Sequence, residues 1–140
     1  MEGLGRTFNV VPVADAVEVS MKDCSAVTFI CVGANAETFT LKECTDAAGS
    51  GAQNLVALDH YYACADSAGA NAWTRQSMAA GAVVTTTTAR PVAVIEVQAT
   101  ALSAGFKYLR VDSSSTGTVV ALTHDLLVQR KPSNLRALAV

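Results

Sequence analysis

Short apolar segments separated by turn residues constrain this chain more than any other feature. Three of them lie in residues 91–130, at 92–97, 106–112 and 118–130, and they are rich in β-branched residues. ATALSAG, which could hold a single helical turn, joins the first two, and serines with a glycine join the last two. Apolar runs of this length bounded by turn residues indicate β-strands.

The same pattern continues through the rest of the chain. Further strands are predicted at 7–13, 26–32, 37–45, 72–78, 82–88 and in a segment ending near Cys64. Residues 15–22 alternate like a half-buried strand, although a short helix also fits. Segments 26–32 and 37–45 are expected to form a hairpin, and a short Ala-Gly turn is expected between 72–78 and 82–88. Pro12 cannot donate to a ladder, so the first strand is predicted at an edge or bulge.

These segments together predict an all-β fold. Short strands at spacings near ten residues, with turn residues between them, are typical of a single antiparallel β-sandwich or barrel, here of about eight or nine strands. Alternation places Phe39, Leu41 and Glu43 on one strand face. In the last strand an apolar set shares one face: Val120, Leu122, His124, Leu126 and Val128. His124 is therefore interpreted as a core histidine with a hydrogen-bond partner.

The overall composition limits the possible partners. Hydrophobic residues make up 51% of the chain and charged residues 16%, against about a quarter charged in an ordinary soluble domain. Low charge favours a surface covered by a partner or by further copies, although a smooth alanine-rich surface explains it equally well. The net charge of −2 argues against nucleic acid. No apolar run approaches the ~20 residues that span a bilayer, and we expect neither a membrane partner nor a signal peptide.

Charge is distributed unevenly along the chain. Residues 1–129 hold seven basic and twelve acidic side chains, a net charge of −5, whereas residues 130–140 hold three basic and no acidic ones. Pro132 ends the last strand, so we predict a β-sandwich domain at 1–130 and an extended C-terminal arm at 131–140. The arm either docks on a neighbouring molecule or packs on its own domain. Its predicted partner-binding residues are Arg130, Lys131, Leu135, Arg136, Leu138 and Val140.

The cysteines do not form a metal or redox motif. Cys24, Cys31, Cys44 and Cys64 have neither CxxC nor zinc-knuckle spacing. We expect reduced, buried thiols, with a disulfide as the alternative. Apolar surroundings are expected to raise the thiol pKa of Cys31, which disfavours a reactive thiolate.

The histidines do not predict a catalytic site either. Asp59 precedes His60, and Asp125 follows His124. Adjacent residues of a strand point to opposite faces, so neither pair is expected to make the histidine–carboxylate contact of a triad. The sequence also lacks GxGxxG, Walker, GxSxG and HExxH motifs. We therefore expect a protein that is not an enzyme and that uses no cofactor or metal.

A succession of short motifs in the C-terminal half resembles a known group of proteins. In order, these are VIEV at 94–97, Leu102, GFKYLRVD at 105–112, serines at 113–115, VVAL at 119–122 and a basic residue with proline at 130–132. In this arrangement the chain resembles the small head and tail-connection structural proteins of tailed bacteriophages. The resemblance covers about residues 26–132, and its motifs are those of strands and turns.

The resemblance implies a virion protein assembled in the host cytoplasm, and most directly a capsid decoration (cement) protein on the outside of the shell. Such a protein would bind the major capsid protein, form a homo-oligomer and carry a docking arm, for which residues 1–13 are an alternative to the C-terminus. A head–tail connector or tail structural protein is the closest alternative. From the residues alone, a carbohydrate-binding β-sandwich is another, with a stacking platform of Trp73, Tyr61, Tyr62 and His60.

Overall fold

The computed structural model describes residues 8–13, 15–33, 36–56, 58–65, 70–78 and 82–127. The strands are β1 Phe8–Val13, β2 Val19–Ser20, β3 Cys24–Val32, β4 Glu37–Cys44, β5 Gln53–Asn54, β6 His60–Cys64, β7 Thr74–Ser77, β8 Val83–Thr86, β9 Val92–Gln98, β10 Tyr108–Ser113 and β11 Thr118–Leu126. One turn of 3₁₀ helix, Ala99–Ala101, lies between β9 and β10.

The larger layer is a six-stranded antiparallel sheet with the order β1-β11-β3-β9-β6-β7. β3 is a central strand, and its Ile30 lies opposite Val120 of β11 and Val94 of β9. β1 lies at an edge of the sheet, where Pro12 pairs with Val120. This agrees with the prediction from the proline, which has no N–H to donate to a second neighbour.

The smaller layer has the order β2-β10-β4-β5, and β8 also pairs with β4. β10 lies along one side of β4, whereas β8 and β5 pair with successive parts of it: Phe39 is opposite Val84, and Glu43 is opposite Gln53. β2 and β5 have only two residues each. Alternation cannot be recognised over two residues, which is why the described strands outnumber the predicted ones.

The inner faces of both sheets pack on one apolar core. The larger sheet contributes Val27, Phe29, Ile95 and Val97, and the smaller one Phe39, Leu41, Val84, Leu109 and Val111, all of them fully buried. Burying each of these side chains contributes roughly 1.5–3 kcal/mol relative to leaving it exposed. The predicted all-β antiparallel sandwich is confirmed, and the described strands do not close into a barrel.

The predicted hairpin of residues 26–32 and 37–45 is wrong, although both strands exist. β3 belongs to the six-stranded sheet and β4 to the five-stranded sheet. β7 and β8, which were predicted with a short turn between them, are likewise divided between the sheets. In both cases the two strands lie in different sheets, because each strand finds its partners far away in sequence and local alternation carries no information about pairing.

The predicted core face of the last strand is also wrong. In β11 the inward residues are Val119, Ala121 and Thr123, whereas Val120 and Leu122 point outward and are half-buried. Both faces of this strand are largely apolar, so alternation could not decide between them, and the smaller side chains face the packed interior.

Residues 15–22 form a strand over two residues only. Asp15 and Ala16 lie in a turn, where Ala16 has a positive φ of 57°. The Asp15 carboxylate accepts a hydrogen bond from the backbone N–H of Ser113 at 2.6 Å, and Ala16 N–H donates to the carbonyl of Val111 at 3.2 Å. These bonds hold the segment against β10 without a continuous ladder.

Candidate interaction surfaces

The six predicted partner-binding residues lie outside the described residues: Arg130, Lys131, Leu135, Arg136, Leu138 and Val140. The predicted boundary between the domain and the arm lies there too. The described chain ends at Leu127, whose N–H donates to the carbonyl of Asp23 at 2.9 Å. Its side chain is 70% exposed.

The outer face of the six-stranded sheet, hereafter the apolar face, carries an uncharged row. Val120, Ile30, Val94 and Tyr62 lie side by side on β11, β3, β9 and β6. The first three are half-buried by their neighbours, and Tyr62 is 44% exposed. Val10 on β1 and Val32 on β3 are each 38% exposed at positions that alternation assigns to the same face. Water therefore meets largely aliphatic and aromatic side chains across five adjacent strands.

Charge enters the apolar face at Glu96, which lies opposite Thr28 on β3, and at Arg75 on β7, which lies opposite Tyr62 and pairs with Asp59. The Glu96 carboxylate accepts a hydrogen bond from the Gln98 amide at 2.7 Å. Beside it a hydrogen bond of 3.0 Å joins the Thr28 hydroxyl to Nε2 of His124. His124 is thus an outward histidine with a partner, and the predicted core position is wrong while the predicted hydrogen bond is present.

The outer face of the five-stranded sheet, hereafter the charged face, carries four interacting charges. Arg110 Nη1 lies 3.3 Å from Glu18 Oε1, and Arg110 Nε lies 3.0 Å from Asp112 Oδ1. Lys42 Nζ lies 2.6 Å from Asp112 Oδ2. Lys42 and Arg110 are direct cross-strand partners, an unfavourable like-charge pair that Asp112 offsets by binding both. Burial would lower the pKa of Arg110, but Asp112 and Glu18 raise it above its ordinary value.

A loop of residues 45–51 covers part of the charged face. The Asp46 carboxylate holds it by accepting hydrogen bonds from the N–H groups of Ala48 at 2.9 Å and Ser50 at 3.1 Å. Gly49, with φ +75°, lies against the network: a Cβ built there would be 2.5 Å from Glu18 Oε1 and 2.9 Å from Arg110 Nη1. The network is therefore enclosed by its own chain.

Two further carboxylates are buried and used structurally. Glu43 accepts hydrogen bonds from the Gln53 amide at 2.6 Å and from the Ser103 N–H at 2.8 Å. Burial alone would raise the pKa of Glu43, but these hydrogen bonds outweigh it and lower the pKa. Glu37 accepts from the Ser113 hydroxyl and from the Gly117 N–H, which fixes the serine-rich turn before β11.

Both histidine–carboxylate pairs make a contact, contrary to prediction. Asp59 precedes β6, so strand alternation does not apply to it, and its Oδ1 lies 2.5 Å from Nδ1 of His60. Asp125 has a positive φ of 51°, which breaks the alternation and leaves its Oδ2 3.5 Å from Nδ1 of His124. On its other ring nitrogen His124 contacts the Thr28 hydroxyl. Thr28 lies on β3, which is hydrogen-bonded to β11 on one side and to β9 on the other. Its backbone donors are engaged in the ladders and cannot form an oxyanion hole there.

The four predicted platform residues do not share one surface. His60 and Tyr62 contact each other edge to face, with ring centroids 5.6 Å apart, and Trp73 is 50% exposed just before β7. Tyr61 instead points into the core, where its hydroxyl donates to the carbonyl of Thr85 at 3.2 Å. The contacting pair of His60 and Tyr62, together with exposed Trp73, is hereafter called the aromatic patch.

All four cysteines are buried free thiols, as predicted. Burial, reinforced by Asp23, raises the pKa of Cys24 to about 11, and burial with Glu37 raises that of Cys31 to about 12. Burial is also the largest cause of the raised pKa of Cys44. These thiols are poor nucleophiles at neutral pH.

Comparisons with known proteins add no assignment. No protein-family model, curated protein or solved structure matches this chain. Among the described residues, no group of three or more His, Cys, Asp or Glu side chains could hold a metal ion. No helix in the same ranges is long and apolar enough to cross a membrane.

The apolar face is the surface that sequence reasoning missed, because it assigned Val120 and Leu122 to the core. A signal was available in AVTFICV at 26–32 and VAVI at 92–95, which are apolar at almost every position. Continuous apolar strands are typical of sheets covered on both faces.

Proposed function

We propose that this chain is a non-enzymatic structural protein of a tailed-bacteriophage virion, a capsid decoration protein that binds the major capsid protein and stabilises the shell. The observation that carries the proposal is the two-faced sandwich. One outer face encloses its charges in a network of its own, whereas the other presents an uncharged row across four strands. A domain with such a face is suited to assembly, because burying apolar surface is favourable.

The charge distribution supports attachment through the C-terminal segment. Residues 1–129 have a net charge of −5 and residues 130–140 one of +3. A basic segment attached to an acidic body is suited to an acidic surface on another molecule, since opposite charges steer association. Repetition over a symmetric shell would multiply weak individual contacts into strong overall binding.

The proposal also draws on the resemblance to small virion proteins. Three of the motifs that carry it, VIEV, GFKYLRVD and VVAL, fall largely on β9, β10 and β11, which contribute to both sheets of the sandwich. They belong to the frame of the fold and not to a catalytic constellation. A virion role at the capsid surface is therefore proposed from the architecture and the resemblance together.

Copy number tests this proposal. Quantitative mass spectrometry of purified particles of the phage that encodes the chain would measure it against the major capsid protein. A decoration protein is expected in numbers comparable with the major capsid protein. A handful of copies per particle would instead assign a connector or tail role, and absence from the particles would overturn the virion proposal.

Attachment through the C-terminal segment has its own test. Reversing its charge with Arg130→Glu, Lys131→Glu and Arg136→Glu is expected to reduce occupancy on particles that lack the wild-type protein. The matched control reverses three charges on the body, Lys22, Arg90 and Lys107, and should keep its occupancy. Equal losses in the two variants would contradict attachment through residues 130–136.

The aromatic patch supports a second candidate, a carbohydrate-binding module. Tyr62 and Trp73 are exposed, and His60 packs edge to face on Tyr62. Sugar rings stack on such side chains. Glycan-array binding that is lost in Trp73→Ala would favour this function, and no binding by the wild-type protein would exclude the arrayed glycans as ligands.

A further inference from the structure

We draw no further inference here: the strongest candidate, the apolar face on the outside of the six-stranded sheet, also carries Arg75 and Glu96, and nothing in the described part of the chain shows what covers it.

Discussion

The outer face of the five-stranded sheet carries Lys42, Arg110 and Asp112, whereas the outer face of the six-stranded sheet carries Ile30, Val94 and Val120 at its centre. Both sheets close the same core, so the difference does not arise from folding the interior. The charged face is the one that its own chain covers, with the loop at 45–51. Among the described residues, no chain covers the apolar face, which is the reverse of what burial energetics alone would favour.

The difference in covering between the two outer faces follows from how their side chains are already paired. The charges of the charged face are paired with one another: two cations and two carboxylates lie within 3.3 Å of their partners, although Arg110 Nε and Asp112 Oδ1, 3.0 Å apart, do not form a hydrogen bond. A balanced, enclosed network offers little to a binding partner, because a partner would have to replace contacts already made. The uncharged row has no such contacts to lose, and it gains by being covered.

Arg110→Met is expected to have the largest effect and would break the charged face. It removes the cation that pairs with Glu18 and leaves Asp112 paired with Lys42 alone, in a partly buried site. Removing one partner of a buried pair costs about 3–5 kcal/mol, and the partial exposure of these groups reduces the expected loss to about 2–3 kcal/mol. Urea unfolding measures it.

Arg75→Met is the matched control, because its ion pair with Asp59 is 3.2 Å long but solvent-exposed. Exposed pairs contribute little, so its unfolding midpoint should not change measurably. If both arginine variants lost the same stability, the charged face would not be the enclosed network described above.

Gly49→Ala is expected to come next, at about 2 kcal/mol. Its positive φ disfavours a side chain, and the new Cβ would press on Glu18 and Arg110. Gly105→Ala separates the two causes, since Gly105 has φ +91° and no atom within 4 Å of the added Cβ. It should cost about 1 kcal/mol, from backbone strain alone. Equal losses in thermal or urea unfolding would mean that the loop does not press on the network.

The sequence predicted the strands much better than their arrangement. Segments 26–32, 37–45 and 92–97 lie within two residues of β3, β4 and β9. These boundaries are local, since β-branched runs end where turn residues begin. Pairing is not local. Glu37–Cys44 pairs with β10, more than sixty residues away, and neither segment contains a sequence signal that identifies its partner.

The surfaces were less predictable for a related reason. Val119 and Val120 are both apolar, so no pattern indicated which of them faces the core. Asp59 contacts His60 because β6 begins at His60. Asp59 therefore lies outside the strand, and alternation does not place it on the opposite face. The charged network requires Glu18 to meet Arg110, 92 residues further along the chain, which only the folded sandwich determines.

Glu43 gives the smallest expected effect and extends the comparison to the inner face of the five-stranded sheet, where a charge is also satisfied by its own chain. Its folded pKa is lowered from the ordinary 4.5. Between the two values the unfolded chain binds more protons, so the stabilisation is complete above about pH 4.5 and is lost as the pH falls through the folded pKa. Glu43→Gln should cost about 1 kcal/mol at pH 7. The Gln side chain replaces one acceptor oxygen by an NH₂ group, which would face the N–H donor of either Gln53 or Ser103.

Urea unfolding of Glu43→Gln and of the wild type across pH 3–7 isolates this carboxyl, because Asp46 and Asp59, whose pKa values are also lowered, titrate in both proteins. The difference in stability should therefore shrink as the pH falls below about 4.5 and should be constant above it. A difference that stays the same at every pH would mean that Glu43 contributes through its shape and not its charge. In that case the five-stranded sheet would be stabilised by charge on its outer face only. Charge would then distinguish the charged face both from the apolar face and from the core.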